Sequence, residues 1–411
     1  MHNVVLLMSS GAGYERGILR GIARYARHHG PWRFLLAGDQ PGLPRPMRYS
    51  ETPLSTAADA RRNRGGFSTF DLRKFGATGF IGRLYTPKIT EAVLASGVPA
   101  IAMDLTDEQL ASRGPLGRVS ELRPDSDQAG RLAAEHLLAA GFHRFAFCGY
   151  PGENWSRRRQ EGFCRRLREA GFDCDVFPLS RRRVRTPWRR EQPKMTAWLA
   201  SLPKPLGVMA CNDERARQAI DACAMGGLPV PEEVAVIGCD EDHILEELAH
   251  LPISSVAFDA EQGGYRAAEL LDAMMSGRRR PRQTIVVDAL WAVGRRSTDA
   301  IAVADRRVAD AVRFIRENAR QAIGVADVVR HSTLSRRALE IRFHGSMGRS
   351  MREEIQRVRL EWVKQLIVET DLPMSKIADC TGFRGESYLC KVFRRLMDTT
   401  PGQYRRDHRL A

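Results

Sequence analysis

Two kinds of hydrophobic periodicity divide the sequence into unequal parts. Up to about residue 300, short runs rich in Val, Ile, Leu and Phe alternate with amphipathic stretches. This alternation is typical of parallel strands joined by crossover helices, and it predicts an α/β fold. From Asp305 to Ala411 only the helical period is evident, which predicts a smaller all-α domain at the C-terminal end.

The α/β part combines predicted strands, predicted helices and one irregular stretch. Its apolar runs predict strands at 3–8, 33–37, 78–82, 98–103, 144–149, 173–177, 206–210, 234–238 and 285–290. Helical spacing predicts helices at 14–26, 127–140, 156–170, 214–225 and 261–275. Residues 40–75 are rich in Pro, Arg and Ser and lack apolar periodicity, so they indicate a flexible insertion.

The chain is basic, with a formal net charge of +15. The 107 residues from Asp305 onward hold 22 basic residues against 14 acidic ones, so the positive charge is concentrated in the predicted helical domain. A basic helical domain indicates a polyanionic partner such as a nucleic acid. The arginine-rich run 180–192 is interpreted as a solvated loop in preference to a phosphate-binding patch.

Several classes of protein are disfavoured by what the sequence lacks. The apolar run 4–8 is too short for a signal-peptide core or a membrane span, and no stretch of 18 apolar residues follows. The eight cysteines include no Cys-x-x-Cys pair, which indicates reduced thiols in a cytoplasmic protein and no metal. Gly11, Gly13 and Gly17 miss the dinucleotide-binding spacing by one residue. With no catalytic motif present, neither a cofactor nor catalytic residues are expected.

The helical part contains two segments of one plan, about 50 residues apart. In the second, Ala378 and Gly382 provide the small residue and the turn residue that a helix-turn-helix needs, before a helix at 386–396. In the first, a helix at 325–331 would support a recognition helix at 335–344. The alternative is an ordinary bundle with arginines on its wet face. The duplication and the clustered bases argue against it, and those bases are Arg336, Arg337, Arg342, Lys391, Arg394 and Arg395.

A long helix is expected between the two segments. Ser350 and Glu353 form a capping box, and no Gly or Pro follows as far as Val368. A helix of about 19 residues spans roughly 28 Å. Two recognition helices held by such a rod could enter neighbouring major-groove windows, which lie about 34 Å apart.

The helical region resembles the AraC-type activator family through the runs 377–383 (IADCTGF), 388–393 (YLCKVF) and 400–405 (TPGQYR). The resemblance implies that bases are read by Arg337 and Glu340 in the first recognition helix, and by Glu386, Ser387 and Lys391 in the second. Arg336 adds a further basic side chain. An arginine can contact guanine in bidentate fashion and a glutamate can accept from cytosine. Val329 and Thr333 stand where the family prefers Ala and Gly, which predicts a looser first turn.

Residues 3–299 resemble the ligand-binding core of the LacI type, which is similar to periplasmic sugar-binding proteins. The carrying runs are 125–126, 133–137, 210–213 (ACND), 230–240 (VPEEVAVIGCD), 253–256 and 295–298 (RRST). Most of these runs place polar residues at the carboxyl end of a predicted strand, where open α/β sheets bind ligands. The resemblance implies two lobes that close on a small molecule by a hinge motion.

By the same resemblance, Asp240 is the leading candidate acceptor for sugar hydroxyls, with Asn212 and Asp213 beside it. Arg157 or Arg159 is the expected donor, close to Trp155, and Tyr14 to Arg16 would line the facing lobe. Each assignment has a structural alternative. An aspartate after a strand often caps a helix, and this alternative applies to Asp240, to Asp125 and, together with Asn212, to Asp213.

A sugar-binding core followed by an AraC-type domain resembles the xylose operon regulatory protein family, over nearly the whole chain. The resemblance implies a sugar-binding core at 1–300 and a DNA-binding domain at 305–411. One lobe would hold about 1–142 and 258–286, and the other about 143–257 and 287–300. The expected partners are an operator duplex, D-xylose or a related pentose, a second copy of the chain and RNA polymerase, with no membrane. The alternatives are a sugar-processing or nucleotide-dependent enzyme with a regulatory tail, and a ligand-independent architectural DNA-binding protein.

Overall fold

The structure is a computed structural model, which describes residues 1–36, 71–84, 86–106, 109, 115–150, 152–178, 188–278, 281–299 and 305–408. Residues 40–70 of the expected insertion and 180–187 of the arginine run lie outside the described residues. Among the described residues, no helix is both long enough and apolar enough to cross a bilayer.

Two six-stranded sheets form the α/β part. The first sheet is parallel throughout and contains, in order, β11 (Thr284–Val287), β5 (Ser120–Pro124), β4 (Ala100–Met103), β3 (Gly79–Arg83), β1 (His2–Leu7) and β2 (Trp32–Leu36). The second contains β12 (Ala289–Val293), β10 (Ser254–Phe258), β9 (Val234–Cys239), β8 (Leu206–Ala210), β6 (Phe145–Cys148) and β7 (Cys174–Val176). In the second sheet, β12 runs antiparallel to β10.

Helices cover the sheets and form the whole of the C-terminal region. The helices of the α/β part are α1 (Gly13–His29), α2 (Pro87–Ser96), α3 (Ser126–Ala139), α4 (Asn154–Glu169), α5 (Trp188–Ser201), α6 (Asp213–Met225), α7 (His243–Leu248) and α8 (Ala260–Met275). Short 3-10 turns lie at Leu72–Phe75, Pro115–Arg118 and Arg296–Thr298. The C-terminal helices are α9 (Arg306–Asn318), α10 (Val325–His331), α11 (Arg336–Met347), α12 (Met351–Glu369), α13 (Met374–Cys380), α14 (Glu386–Met397) and α15 (Pro401–His408).

The expected fold class, a two-lobed α/β core with an all-α region after it, is confirmed. The predicted single strand 285–290 is wrong. The chain leaves the first sheet after β11 and enters the second at β12, so this apolar run serves both sheets. Sequence reasoning also missed β5 and β10, and in β5 Glu121 and Arg123 interrupt the apolar pattern. Glu121 is nevertheless buried, where its Oε1 accepts a hydrogen bond from the backbone N–H of Leu105 at 3.2 Å.

Helices α3 and α4 pack with their backbones in contact. A Cβ atom on Gly130 would lie 2.2 Å from the carbonyl oxygen of Arg159, and one on Gly162 would lie 2.1 Å from that of Asp127. Only glycine fits so close an approach. The two helices therefore cannot slide past each other without breaking this contact.

The C-terminal helices form two apolar cores, one for each helix-turn-helix. Leu339 and Phe343 of α11 are fully buried in the first core, and Leu389 and Phe393 of α14 are fully buried in the second. Helix α12 contributes to both. Its Arg359 donates hydrogen bonds of 2.8 Å to three carbonyl oxygens of the segment between α9 and α10, those of Ala319, Gln321 and Ile323. The predicted rod between the two units is therefore present and fastened to the first unit.

Replacing Gly130 with alanine should lower the free energy of unfolding by about 2–3 kcal/mol, because the added methyl group would meet the Arg159 carbonyl and both backbones are fixed. Urea denaturation followed by tryptophan fluorescence measures the effect. Gly345→Ala is the control, since this exposed α11 glycine has no atom within 4 Å of its Cβ position. That alanine should stabilise its helix by up to about 1 kcal/mol. Wild-type stability of Gly130→Ala would contradict the backbone contact.

Candidate ligand cleft and DNA-binding surface

The carboxyl ends of strands from both sheets meet at one cleft. Residues 9–12 follow β1 and Asp104 follows β4 on one side, while Asn212 follows β8 and Asp240 follows β9 on the other. This is the edge at which open α/β sheets bind ligands. The cleft therefore lies between the two sheets, with polar groups contributed by each.

The inner part of the cleft is a narrow cavity. It is lined by Ala12, Tyr14, Glu15, Arg83, Asp104, Pro124, Trp155, Arg159 and Asp240. Four residues predicted from the sequence, namely Tyr14, Trp155, Arg159 and Asp240, thus come together here. A larger neighbouring part is lined by Asn212, Asp213 and Asp240 together with Ser9, Gly11, Ala12 and Gly13.

Arg159 is the fixed cation of this cleft. Its side chain is 2% exposed, and its Nη2 donates to Asp240 Oδ1 at 2.9 Å. Its Nη1 donates to the carbonyl oxygen of Cys211. The guanidinium carbon lies 4.9 Å from the ring centre of Trp155 and 5.0 Å from that of Phe258, so aromatic faces hold it as well. These contacts leave the guanidinium one orientation at the cavity wall.

Asp240 is held in an unusual backbone conformation. Its φ is 103° and that of Glu241 is 49°, both in the region that disfavours residues other than glycine. Such strain often marks a functional position. Burial raises the pKa of Asp240 to about 6, and Arg159 opposes that shift. The alternative role as a helix cap does not apply to Asp240, because Asp242 is the residue that caps α7.

Two further cleft residues, Arg83 and Asp104, were not predicted, and Glu15 was predicted only within the segment Tyr14 to Arg16. Arg83, 7% exposed, places its Nε 2.7 Å from Glu15 Oε1 and its Nη1 2.6 Å from Asp104 Oδ2. Glu15 also accepts a hydrogen bond from the backbone N–H of Ser9. Burial raises the pKa of Asp104, which Arg83 opposes. The signal in the sequence was a charged residue ending the apolar strand Gly79–Arg83.

The other predicted ligand residues lie around the cleft in different roles. Asn212 caps α6, accepting from the backbone N–H of Arg215 at 3.0 Å. Asp213 accepts from the Asp242 backbone N–H at 2.8 Å and from Ser255 Oγ at 2.7 Å, and burial raises its pKa.

Both remaining arginine candidates are engaged elsewhere. Arg157 bonds to residues of its own helix, Glu161 at 2.5 Å and Asn154 at 2.7 Å. Arg16 pairs with Asp242, which joins the two sides of the cleft.

The first candidate recognition helix, α11, exposes the three residues predicted for it: Arg336, Arg337 and Glu340. Arg336 Nε lies 2.9 Å from Glu340 Oε1, an ion pair one turn apart. Arg337 has no ion pair among the described residues and is available for a base or a phosphate. Sequence reasoning missed Ile341, whose side chain is 65% exposed on the same helix. An exposed apolar group there suits contact with the methyl group of thymine.

The second candidate recognition helix, α14, exposes Glu386, Ser387 and Lys391. Its turn is made by Gly382 with φ 73°, and a Cβ atom there would lie 2.4 Å from the Gln321 carbonyl oxygen of the first unit. Glycine is therefore required at this position both by backbone conformation and by contact.

The first turn follows a different course. Helix α10 ends at Ser332 with φ −90° and ψ 152°, an extended conformation, and no residue from 329 to 335 has a left-handed φ. Ser332 Oγ accepts from the Leu334 backbone N–H at 3.1 Å. Thr333 in place of glycine is thus compatible with the turn, which accounts for the departure seen in the sequence.

Residues 134–298 match the periplasmic binding protein-like domain family, and residues 328–407 match a helix-turn-helix domain family. The xylose operon regulatory protein of Escherichia coli K12 is 28% identical over 407 residues, which cover 98% of this chain and 97% of the relative. The solved structure of the xylose-binding transcription activator xylR has 27% identity and a TM-score of 0.57, with 100% of this chain and 99% of that one covered.

A likeness at the level of fold alone extends to a periplasmic binding protein/LacI transcriptional regulator from Alkaliphilus metalliredigens, solved with D-xylulofuranose. It is 16% identical with a TM-score of 0.51, and the match covers 73% of this chain and 99% of that one.

The fold and its two sites define a class of protein: a DNA-binding regulator that joins a helix-turn-helix region to a periplasmic-binding-protein-like core. Within that class, the chain is a homologue of the xylose operon regulatory proteins over nearly its whole length. The family resemblance inferred from the sequence is thereby confirmed.

Arg337→Ala should relax base preference at one position of a bound duplex by about 1–3 kcal/mol, because a bidentate contact to guanine is lost. The measurement is affinity for a panel of single-base-pair variants of a duplex selected from a random library. Arg313→Ala, on α9 outside both recognition helices, should leave the preference unchanged. An equal loss of affinity for every duplex would instead assign Arg337 to a phosphate.

Proposed function

We propose that this protein is a sugar-responsive transcription regulator of the xylose type, in which a pentose bound in the cleft changes the grip of the helix-turn-helix units on DNA. The observation that carries the proposal is the pairing of two buried arginines with carboxylates around one small cavity, in a homologue of xylose operon regulators.

The chemistry of the cleft suits a monosaccharide. Sugar hydroxyls both donate and accept, and the cavity offers guanidinium donors on Arg83 and Arg159 with carboxylate acceptors on Glu15 and Asp240. Trp155 adds an aromatic face for the C–H surface of the ring.

The names of two relatives point to the same ligand class. One is a xylose operon regulatory protein and another a xylose-binding transcription activator, so D-xylose or a related pentose is the proposed effector. We also propose that the protein is not an enzyme, because the relatives that match its whole length are transcription regulators.

The proposed assembly has a sugar-binding core at 1–300 and a DNA-binding domain at 305–411. One lobe would hold about 1–142 and 258–286 and the other about 143–257 and 287–300, a division that the strands of the two sheets follow to within a residue. Two copies would act together in the cytoplasm on paired half-sites, and an activator role would include a contact with RNA polymerase.

The proposed mechanism is a shift between an open and a closed cleft. Sugar can favour the closed state only through its higher affinity for that state, since a ligand moves an equilibrium by its differential affinity. Hydroxyls held by Arg159 on one side and Arg83 on the other would supply that difference, because only closure brings both within reach of one sugar.

A thermal-shift screen of pentoses and hexoses tests the sugar site. A bound pentose at one hundred times its Kd should stabilise the wild type by about 2.7 kcal/mol. Asp240→Ala should abolish this stabilisation and leave non-specific DNA binding intact, because the acceptor is lost far from the recognition helices. Asp173→Ala, an exposed aspartate of the same lobe, is the control and should respond like the wild type.

Three outcomes of the screen would contradict the proposal. An unchanged shift in Asp240→Ala would remove Asp240 from the site. The absence of any shift with pentoses and hexoses would favour a ligand-independent DNA-binding protein. Conversion of the bound sugar, followed by NMR on the purified protein, would favour an enzyme.

The raised pKa of Asp240 gives sugar binding an expected pH dependence. With a pKa of about 6, the carboxylate is ionised at pH 7.5 and becomes protonated as the pH falls through 6, losing its charged bond from Arg159. Sugar affinity, measured by titration calorimetry, should therefore fall by about tenfold per pH unit below 6.

The stability of the ligand-free protein should change in the opposite direction. The pKa of Asp240 is higher in the folded protein than in the unfolded chain, so the folded protein binds this proton more tightly. The contribution of Asp240 to stability should rise as the pH falls through 6. Asp240→Asn should bind sugar weakly, and neither its sugar affinity nor its stability should show an inflection near pH 6. An inflection that remains in this variant would assign the titration to another group.

A further inference from the structure

The α/β part and the helical region touch at the carboxyl end of α3. Arg349 Nη2 donates to the carbonyl oxygen of Ala139, the last residue of α3, at 2.7 Å. Arg349 lies in the short connection between α11 and α12, next to the first recognition helix. The final carbonyls of a helix lack partners within the helix and carry its negative dipole end, so an arginine is well matched to this position.

A buried carboxylate holds Arg349 in place. Glu354 of α12 is 0% exposed and lies 2.6 Å from Arg349 Nε and 2.8 Å from Arg357 Nη2. Burial alone would raise the pKa of Glu354, but Arg357 and Arg349 outweigh it and lower that pKa to about 2. Glu354 therefore remains ionised, and its ion pair holds the Arg349 guanidinium against the end of α3.

His136, one turn before the end of α3, bonds to another segment of the α/β part. Its Nε2 and Thr298 Oγ1 are hydrogen-bonded at 2.7 Å. Burial, and next the charges of Arg316 and Arg357, lower the pKa of His136 to about 3, so the ring is neutral at physiological pH. A neutral ring can lie beside these arginines without repulsion, which lets the two parts pack closely.

Helix α3 also contacts a residue of the cleft. Its Gly130 rests against the backbone carbonyl of Arg159, the residue whose side chain forms the cavity wall. A movement of Arg159 that includes its backbone must therefore displace α3.

A second series of contacts links the strained loop after β9 to helix α3. Glu241, next to Asp240, accepts from Arg295 Nη1 at 3.0 Å. Arg295 opens the segment in which Thr298 bonds to His136. In that segment Ser297 Oγ also donates to the Val236 carbonyl of β9 at 2.6 Å. Both cavity residues are thus linked to α3, Arg159 through Gly130 in the first half of the helix and Asp240 through Arg295 and Thr298 at His136 near its carboxyl end.

We propose that the contact of Arg349 with the carboxyl end of α3 is the point through which an occupied cleft sets the orientation of the first helix-turn-helix unit. The inference rests on the proposed sugar response and names the residues that transmit it. In this arrangement Arg349 acts as a coupling residue, with Glu354 and Arg357 positioning it, and it reads neither sugar nor bases.

The test compares affinity for DNA with and without sugar. The ratio of the two Kd values for a duplex selected from a random library, measured with and without saturating D-xylose, gives the coupling. In the wild type this ratio should be about 5-fold or more, as is typical of allosteric proteins. Arg349→Gln should bring it close to one with an unchanged Kd for D-xylose, because Arg357 still pairs with Glu354. Arg349→Lys should restore part of it by donating to the Ala139 carbonyl.

Two further variants serve as a control and as an independent test. Arg313→Gln removes the same charge from an exposed site on α9 and should keep the wild-type ratio. Thr298→Val removes the hydroxyl bonded to His136 from the core side, and it should also lower the ratio, which keeps the test available if Arg349→Gln folds poorly. Equal loss of DNA affinity in both states would mark Arg349 as a phosphate contact and overturn the inference.

The failure of the inference can be told from that of the proposed function. If the ratio in Arg349→Gln and in Thr298→Val equals that of the wild type, the transmission contact is overturned while the sugar response stands. If the wild type itself shows a ratio of one, the sugar response is overturned and the inference falls with it. By thermodynamic reciprocity, the duplex should change the Kd for D-xylose by the same factor.

Discussion

The buried ion pair of Arg159 with Asp240 is the interaction on which the arrangement of the cleft depends. A buried charge costs several kcal/mol unless it is paired and hydrogen-bonded. Arg159 satisfies this condition through Asp240, the Cys211 carbonyl and two aromatic faces, while Asp240 accepts a strained backbone to reach it. The backbone of Arg159 also contacts Gly130 of helix α3. The ion pair that positions Arg159 in the cleft therefore also fixes the position of α3.

The sequence carried the class of the fold and the position of most elements because periodicity reflects burial. It failed where one apolar run supplied strands to two sheets, and where charged residues in β5 or serines in β10 interrupted the apolar pattern. The run 285–290 supplies β11 and β12 to different sheets, and no local signal marks the change at Asp288. Strand β5 was missed because Glu121 is buried by a tertiary hydrogen bond that only the assembled lobe provides.

The candidate site was predicted more fully on the Asp240 side of the cleft than on the facing side. Asp240, Arg159 and Trp155 follow from the resemblance to sugar-binding cores, and the structure gathers them with Tyr14 around one cavity. Arg83 and Asp104 come from strand ends whose apolar neighbours hid their role, and Glu15 was named only as part of a segment. Asn212 and Arg157 have the right residue types but bond locally, Asn212 as a helix cap and Arg157 to its own helix. Residue type and strand position thus predict which residues lie near the cleft. Their hydrogen-bond partners in the folded protein determine which of those side chains face the ligand.

Helix α12 is bonded to both units from a single turn near its middle, by Arg359 to the first unit and through Gln356 to Tyr388 and Arg395 of the second. The two helix-turn-helix units therefore keep a fixed separation and a fixed relative orientation. B-DNA completes a turn in about 10 base pairs, so half a turn of extra sequence between the two contacted segments would carry the second to the far side of the duplex. Evolution of the target is then restricted to base changes within each segment, because an insertion of even one whole turn would move the two segments about 34 Å further apart.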